Sequence, residues 1–141
     1  TRSIKTLSVR MKQHNENAIA VSNYLSNHPK IEKVFFPGND KRHKEIAEKQ
    51  MDGFGGMMSF VIDSDINGVK TFLKNLNLFT LAESLGGVES LIEHPAIMTH
   101  ASIDPSIREK LGISETLLRI SVGIEDVDDL ISDLDQALSK I

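Results

Sequence analysis

The strongest constraint on the fold is an alternating stretch, residues 117–124. Apolar side chains occupy every second position from 118 to 124, and the positions between them carry Arg119, Ser121 and Gly123. A period of two predicts a half-buried strand with one apolar face. A turn of small residues at 82–88 reads Ala-Glu-Ser-Leu-Gly-Gly-Val, and we expect it to expose backbone donors. The rest of the chain is then the scaffold that brings the turn and the strand together.

The other patterns alternate between helical and strand periods. A long helix is predicted by an apolar stripe with spacings of three and four, formed by Ile4, Leu7, Met11, His14, Ala18, Val21 and Leu25. His14 lies on that stripe, which predicts an interior or interface histidine. Short apolar runs at 31–36, 57–63, 78–82 and 88–92 indicate strands. Further helices are predicted from Ser64 or Asp65, from Asp104-Pro105, and after the acidic residues 125–129.

The predicted order is helix, strand, helix, strand, helix, two strands, helix, strand, helix. This order indicates an α/β fold of two layers (α+β), in which helices pack on one face of a mixed or antiparallel sheet. Its 141 residues fit a single domain, residues 1–141.

Composition excludes several classes of function. The formal charge of −4 carries no basic excess, so no nucleic-acid partner is expected. No apolar run is long enough to cross a bilayer, which predicts no membrane partner and a cytoplasmic location. With zero cysteines there is no thiolate nucleophile or thiolate metal site. His94 and His100 lack the spacing of metal ligands, so no metal is expected.

Three side chains are candidates for chemistry on the residues alone. The guanidinium of Arg119 has small neighbours and matches a carboxylate bidentately, but a structural ion pair is an equal alternative. Ser84 precedes two glycines that let a ligand approach the backbone; a plain turn is the commoner outcome for such a pattern. Glu83 suits a general base or a specificity group, or it is an exposed turn carboxylate.

At these residues the chain resembles the C-terminal part of the pyridoxal-phosphate (PLP) enzymes of cysteine and methionine metabolism, in particular cystathionine gamma-lyases and gamma-synthases. The resemblance spans essentially the whole chain. It is carried by Arg10-Met11, His14, Asn17-Ala18, His28-Pro29, Phe36-Pro37-Gly38, Gln50-Met51, residues 53–57, the run 82–92, His94-Pro95-Ala96, Met98-Thr99-His100 and residues 118–125.

The resemblance implies the fold of the C-terminal domain of aspartate-aminotransferase-like PLP enzymes, and it implies roles. Arg119 would hold the α-carboxylate of the amino acid, and Thr99 would help to line the site. Ser84 would lie beside the cofactor Schiff base, binding substrate and cofactor, and Glu83 would tune substrate choice. None of the lysines lies in a matching motif, so the resemblance places the Schiff-base lysine and most of the cofactor site outside this chain.

The function implied is that of a PLP-dependent carbon–sulfur lyase or transferase, inactive as this chain alone. Cystathionine gamma-lyase, which releases cysteine from cystathionine, is the first expectation. Cystathionine gamma-synthase, which performs replacement on an activated homoserine, is the alternative. A non-catalytic amino-acid-binding or interaction module is the alternative of another class. The expected partners are an amino-acid substrate and an N-terminal cofactor domain of the same polypeptide, in a homotetramer.

Overall fold

The computed structural model describes residues 2–141, except for the side chain at position 42, and Thr1 of the predicted domain lies outside the described residues. A short 3-10 helix, Ser3–Thr6, comes first. The α-helices that follow are α1 (Leu7–Ser26), α2 (Lys41–Gln50), α3 (Ile66–Asn75), α4 (Pro105–Lys110) and α5 (Val127–Leu138). The strands are β1 (Ile31–Phe35), β2 (Met57–Ile62), β3 (Thr80–Leu81), β4 (Leu91–Glu93) and β5 (Leu117–Ser121). The predicted order of elements is confirmed.

The strands form one mixed sheet with the spatial order β1-β2-β5-β4-β3. Strand β5 lies in the centre and pairs antiparallel with both β2 and β4, whereas β3 and β4 run parallel. The alternating stretch of the sequence is therefore the middle of the sheet, and residue 119 is paired with Ser59 on one side and Glu93 on the other.

Carboxylates begin four of the helices. The side chains of Asp40, Asp65, Asp104 and Asp126 each accept a backbone N–H of the following turn. Such caps satisfy donors that have no partner within the helix and complement the positive end of the helix dipole. Of the two caps proposed for α3, Asp65 is the one used, and the predicted Asp104 cap with Pro105 in the first turn is confirmed.

One hydrophobic core joins the sheet to three helices. It contains Ala18, Val21 and Leu25 of α1, Val69 and Phe72 of α3, Leu130, Leu134, Ala137 and Leu138 of α5, and sheet residues including Met58, Phe60, Ile62, Ile92, Leu118 and Ile120. The rings of Phe60 and Phe72 meet edge to face, with centroids 6.2 Å apart. This geometry suits aromatic quadrupoles and fixes α3 against the sheet.

The predicted stripe of the first helix is wrong at its N-terminal end. Ile4, Leu7 and Met11 are exposed, and burial begins at His14. Met11 borders an open groove of about 450 Å³ between α1 and the loop around Met51.

The prediction that β5 is only half buried is also wrong. Leu117 and Ser121 are buried as well as Leu118 and Ile120, and the turn at 82–90 reaches the second face at Ser121. The two strands beside this turn are shorter than predicted. Strand β3 has only two residues, and β4 begins at Leu91 rather than at residue 88.

Candidate functional site

The turn at 82–90 lies on the face of β5 that carries Arg119 and Ser121. The N–H of Gly86 donates to Ser121 Oγ over 2.9 Å, and Arg119 Nη2 makes a long contact of 3.5 Å with the carbonyl oxygen of Glu83. Gly86 has φ +76°, a backbone conformation that side chains disfavour, so glycine suits this bend. The two stretches that stand out in the sequence are thus joined in space.

Arg119 forms an ion pair with a residue that the sequence did not single out. Its Nη2 contacts Oε2 of Glu93, the residue directly opposite it across the β4–β5 ladder. Glu93 is 1% exposed, whereas 31% of the Arg119 side chain remains exposed. A buried carboxylate is costly without a partner, so this pair holds the guanidinium at a fixed place in the sheet.

A second carboxylate fastens the far end of the turn. Glu125 accepts the N–H of Ser90 at Oε1 over 2.6 Å and the hydroxyl of Ser90 at Oε2 over 2.9 Å. The same hydroxyl accepts the N–H of Gly123 over 2.8 Å, and the N–H of Ile124 donates to the carbonyl of Val88. Ser90 is fully buried. We call Ser90, Gly123 and Glu125 the clasp.

Helix α1 supports the clasp from behind. Asn17 donates its amide to the carbonyls of Gly123 and Glu125, and His14 Nδ1 lies 2.7 Å from the carbonyl oxygen of Val122. His14 is 3% exposed, which confirms the expectation of an interior histidine. The chain leaves β5 at this point, and its backbone carbonyls need hydrogen-bond donors. This need explains why α1 carries the polar side chains of His14 and Asn17 on an otherwise apolar face.

Ser84 and Glu83 project from the turn, and both residues are exposed. Their backbone lies beside the guanidinium, as the contact from Arg119 to the carbonyl of Glu83 shows. Thr99 is also exposed, and its Oγ1 lies 2.7 Å from Nδ1 of the neighbouring His100. No described contact links Thr99 to Arg119. The structure therefore brings Arg119 to the backbone of the turn that carries Glu83 and Ser84.

The segment that leads to Thr99 is anchored by buried groups. His94 is buried and its Nε2 lies 2.7 Å from the carbonyl oxygen of Glu115; burial lowers the pKa of this imidazole below its usual value of 6.5. The guanidinium of Arg108 donates to the carbonyl of Ala96. These contacts tie the residues after β4 to α4 and to the start of β5.

Among residues 2–141, no group of three or more His, Cys, Asp or Glu side chains is arranged to hold a metal ion. No helix in the described part of the chain has both the length and the apolarity to cross a membrane.

Comparison with known proteins matches this arrangement to an enzyme family. The sequence profile of the Cys/Met metabolism PLP-dependent enzymes matches residues 1–139. The chain belongs to this family. It is 55% identical over 141 residues to a cystathionine gamma-lyase of Dictyostelium discoideum and 53% identical over 140 residues to a cystathionine beta-lyase of Lactococcus lactis. Each alignment covers 99% of this chain, but it covers only 36% of the Dictyostelium protein and 37% of the Lactococcus protein. The chain therefore spans just over a third of the length of these relatives.

Solved structures of the same family share the fold. A cystathionine gamma synthase from Xanthomonas oryzae, in complex with aminoacrylate and cysteine, matches with a TM-score of 0.93 at 46% identity, over 99% of this chain and 36% of that one. A cystathionine gamma-lyase from Lactobacillus plantarum, complexed with L-serine, matches with a TM-score of 0.92 at 46% identity, over 99% and 37%. Members of this Cys/Met metabolism family are PLP-dependent lyases and synthases, and the relatives found here carry three different activities.

For this family member, sequence reasoning missed Glu93 and Glu125. Glu93 was overlooked because the predicted strand ended one residue too early, at Ile92. Had the strand been extended by one residue and paired with β5, Glu93 would have lain opposite Arg119. Glu125 lies near a helix start and in the run 118–125 that carries the resemblance, but its bonds to Ser90 join residues 35 positions apart, which no local pattern reports.

Proposed function

We propose that this chain is the substrate-carboxylate-binding, C-terminal part of a longer PLP-dependent enzyme. The observation that carries the proposal is the guanidinium of Arg119. Glu93 engages it from inside the sheet, while about a third of the side chain faces the open side, beside the turn at 82–90. A guanidinium so placed keeps N–H groups at Nε and Nη1 that can donate to a carboxylate.

The residues near Arg119 fit one side of a cofactor site. When bound, PLP supplies an electron sink that permits proton removal from carbon atoms next to the amino group. Ser84 is exposed on the same turn and is the residue of this chain that we assign to the cofactor's side of the site. No lysine of this sequence lies in a motif that matches the family's attachment lysine, so we propose that another part of the polypeptide supplies it.

We propose roles for the side chains on this basis. Arg119 orients the amino acid by its carboxylate, and we assign the exposed Glu83, on the adjoining turn, to a distal ammonium of the substrate. We assign Thr99 to the wall of the site. The clasp and α1 keep the turn at a fixed distance from β5, so that these groups share one substrate.

The activity that we favour is gamma-elimination of cystathionine. Cystathionine gamma-lyases of Dictyostelium and cattle are 55% and 56% identical to this chain, and Glu83 offers the carboxylate that a diamino substrate needs. Gamma-replacement is the alternative, supported by the Xanthomonas synthase structure, which is described in complex with cystathionine. We further propose a cytoplasmic homotetramer as the whole enzyme.

The test of the carboxylate clamp is Arg119→Lys in the full-length enzyme. Lysine keeps the charge that Glu93 needs, so the fold survives, whereas the planar fork is lost. We expect kcat/KM for the amino acid to fall by a factor equivalent to a loss of about 2–4 kcal/mol of transition-state stabilisation. The absorbance of the bound cofactor should be unchanged. Arg2→Lys, on an exposed residue, is the control. Unchanged kcat/KM in Arg119→Lys would contradict the proposal.

The activity is tested separately by product analysis with cystathionine. Cleavage at the γ carbon releases cysteine, whereas cleavage at the β carbon releases homocysteine. Cysteine as the main product supports gamma-elimination. Homocysteine, or turnover only with an activated homoserine and cysteine, would assign one of the other two activities without affecting the role of Arg119.

A further inference from the structure

The pair of Arg119 and Glu93 is asymmetric. Glu93 is 1% exposed and reaches the guanidinium from inside the sheet, whereas the Arg119 side chain is 31% exposed. The contacts of Arg119 in the described part of the chain, with Glu93 and with the carbonyl of Glu83, both use Nη2. Nε and Nη1 make no described hydrogen bond. The guanidinium is therefore engaged at Nη2, whereas Nε and Nη1, which we call its open edge, make no described contact.

Charge around the open edge does not favour a simple anion. Glu93 cancels the formal charge of Arg119, and Glu83 adds a negative charge on the adjoining turn. The three groups together carry a net negative formal charge. An unpaired guanidinium attracts any anion, but this one lies in a locally negative setting. A ligand carboxylate that enters the site gains hydrogen bonds from the guanidinium of Arg119, but the buried carboxylate of Glu93 behind the guanidinium repels it.

A positive charge on the ligand removes this conflict. An ammonium group on the carbon next to the carboxylate lies within a few ångströms of the same cluster, so the attraction of Glu93 for the ammonium offsets its repulsion of the carboxylate. The burial of Glu93 matters here because a carboxylate out of water is poorly screened, by water or by salt.

We propose that Glu93 is a specificity-determining residue: by cancelling the charge of Arg119 it restricts the clamp to zwitterionic ligands and discriminates against carboxylates without an ammonium group. This inference rests on the proposed function of Arg119. It assigns Glu93 no contact with the reacting atoms.

The test uses two ligands of the same shape, N,N-dimethylglycine and 3-methylbutanoate. They differ only in a protonated nitrogen in place of a carbon, and neither is a primary amine that condenses with the cofactor. Their inhibition constants are measured against amino-acid turnover by the full-length holoenzyme. The unaltered enzyme should bind dimethylglycine more tightly than 3-methylbutanoate, and equal or reversed constants would overturn the inference without any variant.

Glu93→Gln keeps the shape of the side chain and removes its charge. We expect inhibition by 3-methylbutanoate to become about tenfold tighter and inhibition by dimethylglycine to change much less, so the preference for the zwitterion falls about tenfold. Glu32→Gln, an exposed change on the edge strand β1, should leave both constants unchanged. Glu93→Asp retains the charge and should retain the preference.

The outcomes separate the two proposals. If Arg119→Lys leaves inhibition by both carboxylates unchanged, the clamp itself is refuted. If Arg119→Lys weakens both and Glu93→Gln leaves the preference as it was, the clamp stands and the role of Glu93 is refuted. The role is also refuted if Glu93→Asp loses the preference to the same extent as Glu93→Gln, because the shape of the side chain would then be decisive.

Discussion

The substitution Glu125→Gln tests whether the clasp fixes the turn. In the structure Glu125 accepts two hydrogen bonds from Ser90, over 2.6 and 2.9 Å, and the Ser90 hydroxyl also accepts the N–H of Gly123. Glutamine replaces one acceptor oxygen by an NH₂ group. That NH₂ group faces either the N–H or the hydroxyl of Ser90, so in both orientations one hydrogen bond to the fully buried Ser90 is lost.

The loss of one hydrogen bond between Ser90 and residue 125 sets the size of the destabilisation. Losing a hydrogen bond to a charged acceptor at a buried polar group costs about 1.5–3 kcal/mol. The cost falls on the turn rather than on the core, because Glu125 contacts the turn and the end of β5. At about 2 kcal/mol the open state of the turn becomes roughly 30-fold more populated, and its amides should exchange with solvent faster by that factor.

Hydrogen–deuterium exchange of peptides covering 82–92 measures this directly, with a peptide from β2 as the internal reference. Glu109→Gln, an exposed acid on α4, is the matched control. The reasoning is refuted if exchange at 82–92 is unchanged. It is also refuted if exchange rises equally in β2, because the substitution would then loosen the whole sheet.

Two further predictions concern backbone contacts. In Gly123→Ala the new Cβ would clash with the side chain of Glu125 and with the carbonyl oxygen of Val88, so we expect a loss of stability of about 1–3 kcal/mol in urea unfolding and faster exchange of the turn. Gly55→Ala places its Cβ with no atom within 4 Å but at a positive φ, which Gly123 lacks; it should cost about 1 kcal/mol and leave the turn unaffected. Burial raises the pKa of Asp133, but the N–H groups of residues 77–79 and the side chain of Gln136 outweigh it, so the pKa lies below the ordinary 3.8. The ionised carboxylate of Asp133 therefore stabilises the fold at pH values above the pKa of this group in the unfolded chain. The stabilisation is lost as the pH falls through the lower pKa of Asp133 in the folded protein. We therefore expect Asp133→Asn to be less stable at pH 7, with the difference from the unaltered protein shrinking below about pH 4 in unfolding titrations; a difference independent of pH would contradict this.

Local patterns predict much of this fold because local forces set much of it. The helices that begin after Asp65 and Asp104 are predictable because each aspartate accepts an N–H from the next turn of its own helix. The period of two at 118–124 is predictive because it indicates a strand whichever strands pair with it. The family resemblance added the carboxylate role of Arg119, for which spacing alone left an ion pair equally supported. The structure contains that ion pair, with Glu93, beside an open edge of the same guanidinium.

The errors arise where distant parts of the chain meet. Whether Ile4 or Met11 is covered depends on which segments pack beside α1, and periodicity records only the face on which they lie. Strand β5 is buried on both sides because a turn some 35 residues earlier returns to it. Glu93 and Glu125 gain their roles from register and from loop closure, neither of which leaves a local signature.

The position of β5 has a consequence for folding. This strand is the last of the described chain to be reached from the N-terminus, yet it joins the β1–β2 pair to the β3–β4 pair. Without it the two halves of the sheet share no strand ladder, and contacts between residues so far apart in sequence form slowly. Arg119 sits at the middle of this strand, paired on both sides. The step that completes the sheet therefore also delivers the guanidinium to Glu93, and we expect the anion site to form together with the cooperative core rather than after it.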